Sequence, residues 1–142
     1  MNDRETSPPE TAPDPVHVIT LAPEAAAALC SLAASLGMDA ARIDLDGCTG
    51  KAEFLTRTAA ALGFPAWFGH NWDAFFDCLT DLSWRPALGY VLILEHAIEL
   101  QATEPEVFDT AFAILGDAAA VWQARGAPFR AFVSTPPAST GE

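Results

Sequence analysis

Asn71-Trp-Asp-Ala-Phe-Phe-Asp-Cys-Leu-Thr-Asp-Leu82 is the stretch on which the reading of this chain turns. At 3.6 residues per turn it predicts an amphipathic helix. Trp72, Phe75, Phe76, Cys78, Leu79 and Leu82 fall on one broad side, and Asp73, Asp77 and Asp81 fall on the other at i, i+4 and i+8. The apolar side anchors the helix to a core. The acidic side is a straight ridge of carboxylates with no lysine or arginine inside the helix to neutralise it. Asp is a mediocre helix former, and like charges one turn apart each cost roughly 0.2–0.5 kcal/mol. Asp73 suits the positive end of the helix dipole, whereas Asp81 at the other end opposes it. Part of the ridge is therefore kept at a local cost.

Working outward, Gly63-Phe-Pro-Ala-Trp-Phe-Gly-His70 breaks any helix before the ridge, yet holds three aromatics. Trp67 and Phe68 stand inside this break, and one of the two can be buried while the other faces out. Lys51 to Leu62 predicts a helix with Phe54, Leu55, Thr58 and Leu62 inward. Arg42-Ile-Asp-Leu-Asp46 alternates like a strand with one buried face. Tyr90 to Leu94 is a continuous apolar run, the pattern of a parallel strand covered on both faces. Thr103-Glu-Pro-Glu106 reads as a helix start with Thr103 as cap. The helix it opens carries Phe108, Phe112, Leu115, Ala119 and Trp122 on its stripe and stops near Gly126. Phe129 to Val133 is a last strand. Upstream, Val16 to Thr20 reads as an edge strand. Pro23 then opens an alanine-rich helix with the stripe Ala25, Leu29, Leu32 and Leu36, ending at Gly37. The alternation predicts an α/β fold, a three- to four-stranded, mostly parallel sheet packed with helices. The expected organisation is a Pro-rich acidic tail over 1–15, an N-terminal extension over 16–40, a main domain over 41–135 and a C-terminal tail over 136–142.

The chain has 142 residues, 51% of them hydrophobic, enough for one domain with a sizeable core. Nineteen acidic residues against seven basic ones give a formal charge of -12. That balance argues against direct binding to nucleic acid or an anionic membrane, and favours a basic partner. Cys30, Cys48 and Cys78 are odd in number and have no Cys-x-x-Cys spacing. They read as reduced thiols of a cytoplasmic protein rather than a disulfide framework or zinc site. The first residues lack the basic start and apolar run of a secretory signal.

The ridge is open to several readings from spacing alone. It can be a solvated polar face, the usual fate of charge on a helix. His70 with Asp73 and Asp77 suggests a divalent-ion site, but no second acidic or histidine-rich motif completes a shell. Paired-carboxylate hydrolysis needs two carboxyls facing each other across a substrate, which one helix face does not provide. A helix edged by aromatics also suits a protein-binding epitope that presents carboxylates to a cationic pocket. Phe76 stands at the border of the two faces, near Asp73 and Thr80. No Walker loop, dinucleotide fingerprint or nucleophile elbow is present.

The run from Phe64 through Asp81, Phe-Pro-Ala-Trp-Phe-Gly-His-Asn-Trp-Asp-Ala-Phe-Phe-Asp-Cys-Leu-Thr-Asp, resembles the signature of the barstar family. These are intracellular inhibitors of the ribonuclease barnase. The resemblance extends more weakly from about Arg42 to Ser134. It implies a barstar-like fold and inhibition of a basic, barnase-like ribonuclease by plugging its active site, with no enzymatic activity, cofactor, metal or catalytic residue. It further implies that Asp77 is the central carboxylate and Asp73 the second. Trp67 and Phe68 take the places of two loop tyrosines, Asn71 acts as helix cap and loop anchor, and Phe76 replaces an interface tryptophan. Thr80 and Asp81 complete the expected partner-binding set, on a protein that is monomeric when free. A glutamate that the family prototype uses near the end of its last helix falls on or near Arg125 here, with the sign reversed.

Overall fold

The computed structural model describes residues 16–20 and 23–135, so the two expected tails lie outside the described residues. The elements in chain order are β1 (Val16–Thr20), α1 (Pro23–Ser35), β2 (Asp39–Asp44), α2 (Lys51–Leu62), α3 (Trp72–Asp81), β3 (Tyr90–Glu95), α4 (Ile98–Thr103), α5 (Pro105–Ala124) and β4 (Phe129–Thr135). The four strands form one parallel sheet in the order β1-β4-β3-β2. The expected α/β architecture is therefore present. Its register aligns Val16, Ala131, Leu92 and Ala41 across the sheet.

Successive residues of a strand face opposite sides, and here both sides are covered. Ala41, Ile43, Leu92, Leu94, Ala131 and Val133 join the larger core, to which Phe54 and Leu55 of α2, Phe75 and Leu79 of α3, and Phe108 and Leu115 of α5 contribute. Val91 and Ile93 face the other way and pack with Ala26 and Ala33 of α1. This double burial explains the uninterrupted apolar run of β3. The extension over β1 and α1 thus belongs to the same sheet: β1 is an edge strand and α1 covers the second face.

Three local expectations are corrected. The buried stripe of α1 is Ala26, Leu29, Cys30 and Ala33, while Leu32 and Leu36 are 57% and 59% exposed. In a helix rich in alanine, hydrophobicity hardly distinguishes the faces. The sheet selects the face whose small side chains permit close approach. Strand β2 starts at Asp39 rather than Arg42, although the Leu45 N–H still donates to the Glu95 carbonyl at 2.8 Å. Thr103 does not cap α5. It ends α4, an unanticipated helix, and its hydroxyl donates to the Glu99 carbonyl at 2.8 Å. The helix after it begins at Pro105, whose missing N–H costs nothing in a first turn.

A candidate protein-docking face on α3

Helix α3 is held at both ends and along one side. The Asn71 side chain accepts from the Ala74 N–H at 2.8 Å, satisfying a donor that the first turn leaves unpaired. At the other end Leu82 takes a left-handed conformation (φ 48°), and its N–H donates to the Cys78 carbonyl. That conformation costs a non-glycine residue roughly 1 kcal/mol. Here the Leu82 side chain is fully buried, which offsets the cost. Phe75, Cys78 and Leu79 lie on the inward face. Phe75 meets Phe54 edge-on, with ring centroids 5.6 Å apart, and Trp72 lies 6.1 Å from Phe54. The last carbonyls are taken by α5 and its cap residue: Trp122 Nε1 donates to Leu79 O at 2.8 Å, and the Arg125 guanidinium donates to Thr80 O. Arg125 also stacks on the Trp122 ring, 4.7 Å from its centroid. Arg125 is therefore a brace at the negative end of α3.

The loop before α3 separates its two central aromatics. The Phe68 N–H donates to the Pro65 carbonyl at 3.0 Å, which closes a turn with Trp67 at its outer corner. Trp67 is 60% exposed, whereas Phe68 is buried against Phe64, with centroids 4.9 Å apart. Phe68 therefore shapes the loop from below and Trp67 presents the free ring. Asn71 is exposed but occupied as the cap. The Thr80 hydroxyl donates to the Phe76 carbonyl at 2.9 Å, and Phe76 is half-buried.

Asp73, Asp77 and Asp81 are all exposed. None has a hydrogen-bond or ion-pair partner of its own among the described residues, although one turn of helix separates each from the next. The carboxylates around the sheet behave otherwise. Asp39 holds Arg85 through two hydrogen bonds, Glu95 holds Arg42, and Glu53 pairs with Arg57 at 3.5 Å. Asp44 accepts from the Asp46 N–H and faces His96 Nδ1 at 2.8 Å. The Asp46 N–H and then His96 hold the Asp44 carboxyl below its ordinary range, and Asp44 in turn raises the His96 imidazole. Cys78, directly beneath the ridge, has its thiol pushed up to about 11 by burial and then by Asp81 and Asp77. It is a packing residue, not a nucleophile at neutral pH.

Helix α5 contributes to this face as well, which the sequence alone did not indicate. Trp72, Asp73, Phe76 and Asp77 form one side of an open groove of about 520 Å3, and Ile114 and Asp117 of α5 form the other. A signal existed: Asp117 is the only charged residue from Ala111 to Ala124. Nothing in the spacing along α5, however, says which helix it will face. Among the described residues no group of three or more His, Cys, Asp or Glu side chains is arranged to hold a metal ion. No helix among them is long and apolar enough to cross a membrane.

A comparison with curated proteins finds no match. The family model described as Barstar (barnase inhibitor) matches residues 38–134. That span runs from the turn before β2 into β4 and contains the capped helix, its aromatic loop and the whole acidic ridge. The added β1 and α1 precede it. The chain belongs to the barstar family.

Proposed function

We propose that this protein inhibits a small, basic, barnase-like ribonuclease by inserting the α3 ridge and the Trp67 turn into its cationic active site. The observation that carries this reading is the exposed, unpartnered row of Asp73, Asp77 and Asp81 on a helix fixed at both ends. A preorganised acidic surface loses little side-chain and backbone freedom on docking. Its field steers a cationic partner toward it. Asp77 is the central carboxylate and Asp73 its neighbour, where they stand in for RNA phosphates. Trp67 and Phe76 supply the apolar contact. Asn71, Phe68 and Thr80 act by holding the helix and loop in place, and Asp81 lies at the margin. The protein acts by occlusion, in the cytoplasm, and performs no turnover.

The test is inhibition of RNA cleavage by a panel of small secreted guanyl-type ribonucleases, including any encoded beside this protein. At least one enzyme should be inhibited stoichiometrically. Absence of inhibition by folded protein at micromolar excess across the panel overturns the reading. Arg125 favours a second reading, a non-inhibitory module that binds another basic protein. Near that position the family prototype presents an acidic group to its nuclease, whereas here the guanidinium is spent on Thr80 and Trp122. This reading predicts a stable complex with a basic protein that has no nuclease activity.

A further inference from the structure

We propose that His70 is a positioning residue of the docking face: its ring, laid on Phe68, holds the Trp67 turn in its presented geometry. This rests on reading α3 and its loop as a protein-docking surface, and it adds to that surface a residue that acts through another. Four rings run in contact and end at the surface. Trp84, whose Nε1 donates to the Leu62 carbonyl at 3.0 Å, meets Phe64 edge-on with centroids 6.0 Å apart. Phe64 lies 4.9 Å from Phe68, and Phe68 lies 4.7 Å from His70 with the planes tilted by 46°. The first three rings are buried or half-buried, whereas His70 is exposed. Phe68 closes the turn at Pro65 whose outer corner is Trp67. Without the imidazole, part of Phe68 is uncovered and the turn is held by Phe64 alone.

The backbone prepares this contact. His70 is in the left-handed region (φ 56°), which histidine and asparagine enter more readily than most residues. The Asn71 side chain ties the chain on both sides of it: Nδ2 donates to the Gly69 carbonyl at 3.4 Å, and Oδ1 accepts from the Ala74 N–H at 2.8 Å. The imidazole makes no hydrogen bond or ion pair among the described residues, so it is engaged through its ring. A ring pair of this kind shifts a local opening equilibrium by roughly two- to tenfold. Trp67, exposed at the corner, is the side chain whose freedom such an opening changes, and freedom lost on docking weakens binding.

The experiment measures relaxation of the Trp67 indole N–H in the isotopically labelled free chain, and dissociation from a ribonuclease that the unsubstituted chain inhibits. His70→Asn tolerates the same backbone and removes the ring, and His70→Tyr keeps a ring in place. His70→Asn should lower the Trp67 order parameter and speed dissociation about fivefold, with the Trp122 indole and the melting temperature unmoved. His70→Tyr should restore Trp67 order and bring dissociation back within about twofold of the unsubstituted chain. Unchanged Trp67 order in His70→Asn overturns the proposal, with or without a nuclease. Equal loosening by both variants also overturns it, because the backbone and not the ring would then be responsible. Faster dissociation of both variants with Trp67 order held overturns it too, since His70 would then touch the partner itself. If no nuclease is inhibited, the relaxation measurement still decides the role of His70, so the two readings fail separately.

Discussion

Carboxylates at the rim of the sheet and carboxylates on α3 have the same chemistry and opposite circumstances. At the rim, Asp39, Asp44, Glu53 and Glu95 each have a basic partner: Asp39–Arg85 and Asp44–His96 tie β2 to loops distant in sequence, Glu95–Arg42 joins β3 to β2, and Glu53–Arg57 lies within α2. On α3, Asp73, Asp77 and Asp81 have none, and Asp117 joins two of them across the groove. Among the described residues, Arg42, Arg57, Arg85 and Arg125 are all engaged in bonds that hold the fold. The difference teaches that the negative charge of this molecule is of two kinds: charge that stabilises the fold, and charge left available at a modest cost to it. Substitutions should therefore change sign between the two regions.

The largest effect expected is on binding. Asp77→Ala should lower affinity for an inhibited ribonuclease by about 2 kcal/mol or more, as for a central hot-spot residue, with the melting temperature held or slightly raised. Calorimetric titration together with thermal unfolding checks both halves. Unchanged affinity in a folded variant would place Asp77 with the solvated acids and dissolve the contrast. Next is the rim. Arg85→Met should lower stability by about 1 kcal/mol in urea titration, because it leaves the half-buried Asp39 carboxylate without its two-point partner. Affinity should not follow.

The smallest effects have opposite signs. Asp81→Asn removes a carboxylate from the negative end of α3 and from its i, i+4 neighbour Asp77. Stability should rise by roughly 0.3 kcal/mol. His96→Ala should lower it by a similar few tenths of a kcal/mol, since the His96–Asp44 pair is exposed. The pH dependence of the second is specific. The folded His96 pKa is raised above its ordinary 6.5, so its contribution is full below that value and is lost as pH rises through the folded pKa. The folded Asp44 pKa is lowered below 3.8, so its contribution is present above that value and is lost as pH falls through the folded pKa. The His96→Ala deficit should be largest between these limits, near pH 5, and should vanish in alkali. A deficit independent of pH would mean that His96 acts through its left-handed backbone (φ 58°) and not through its charge.

Much of the fold was readable because its signals are local. The inward residues of α2 follow helical periodicity, and those predicted, Phe54, Leu55, Thr58 and Leu62, are the ones buried. The continuous apolar run Tyr90–Leu94 is by itself the mark of a strand covered on both faces, and both are covered. What failed did so for want of local contrast. Alanines around α1 left its inward face undecided, and Thr103 has the chemistry of a cap whether it starts one helix or ends another. At the candidate site, spacing put Asp73 and Asp77 on one face of the helix, and the family resemblance implied the cap at Asn71, whose side chain accepts from the Ala74 N–H. The division of labour between Trp67 and Phe68 was open until the turn at Pro65 set one ring outward.

The amino-acid sequence alone determined that an amphipathic helix with a one-sided row of aspartates follows an aromatic loop, because helical period and side-chain chemistry are properties of neighbours in the chain. The same chain, through the run from Phe64 to Asp81, pointed to the family. Only the tertiary structure decided that α5 lies beside that row and lends it Asp117, that Arg125 and Trp122 close its far end, and that α1 covers the back of the sheet. These are meetings of residues far apart in sequence. The packing of apolar faces sets them, and that packing depends on the shape of the whole core.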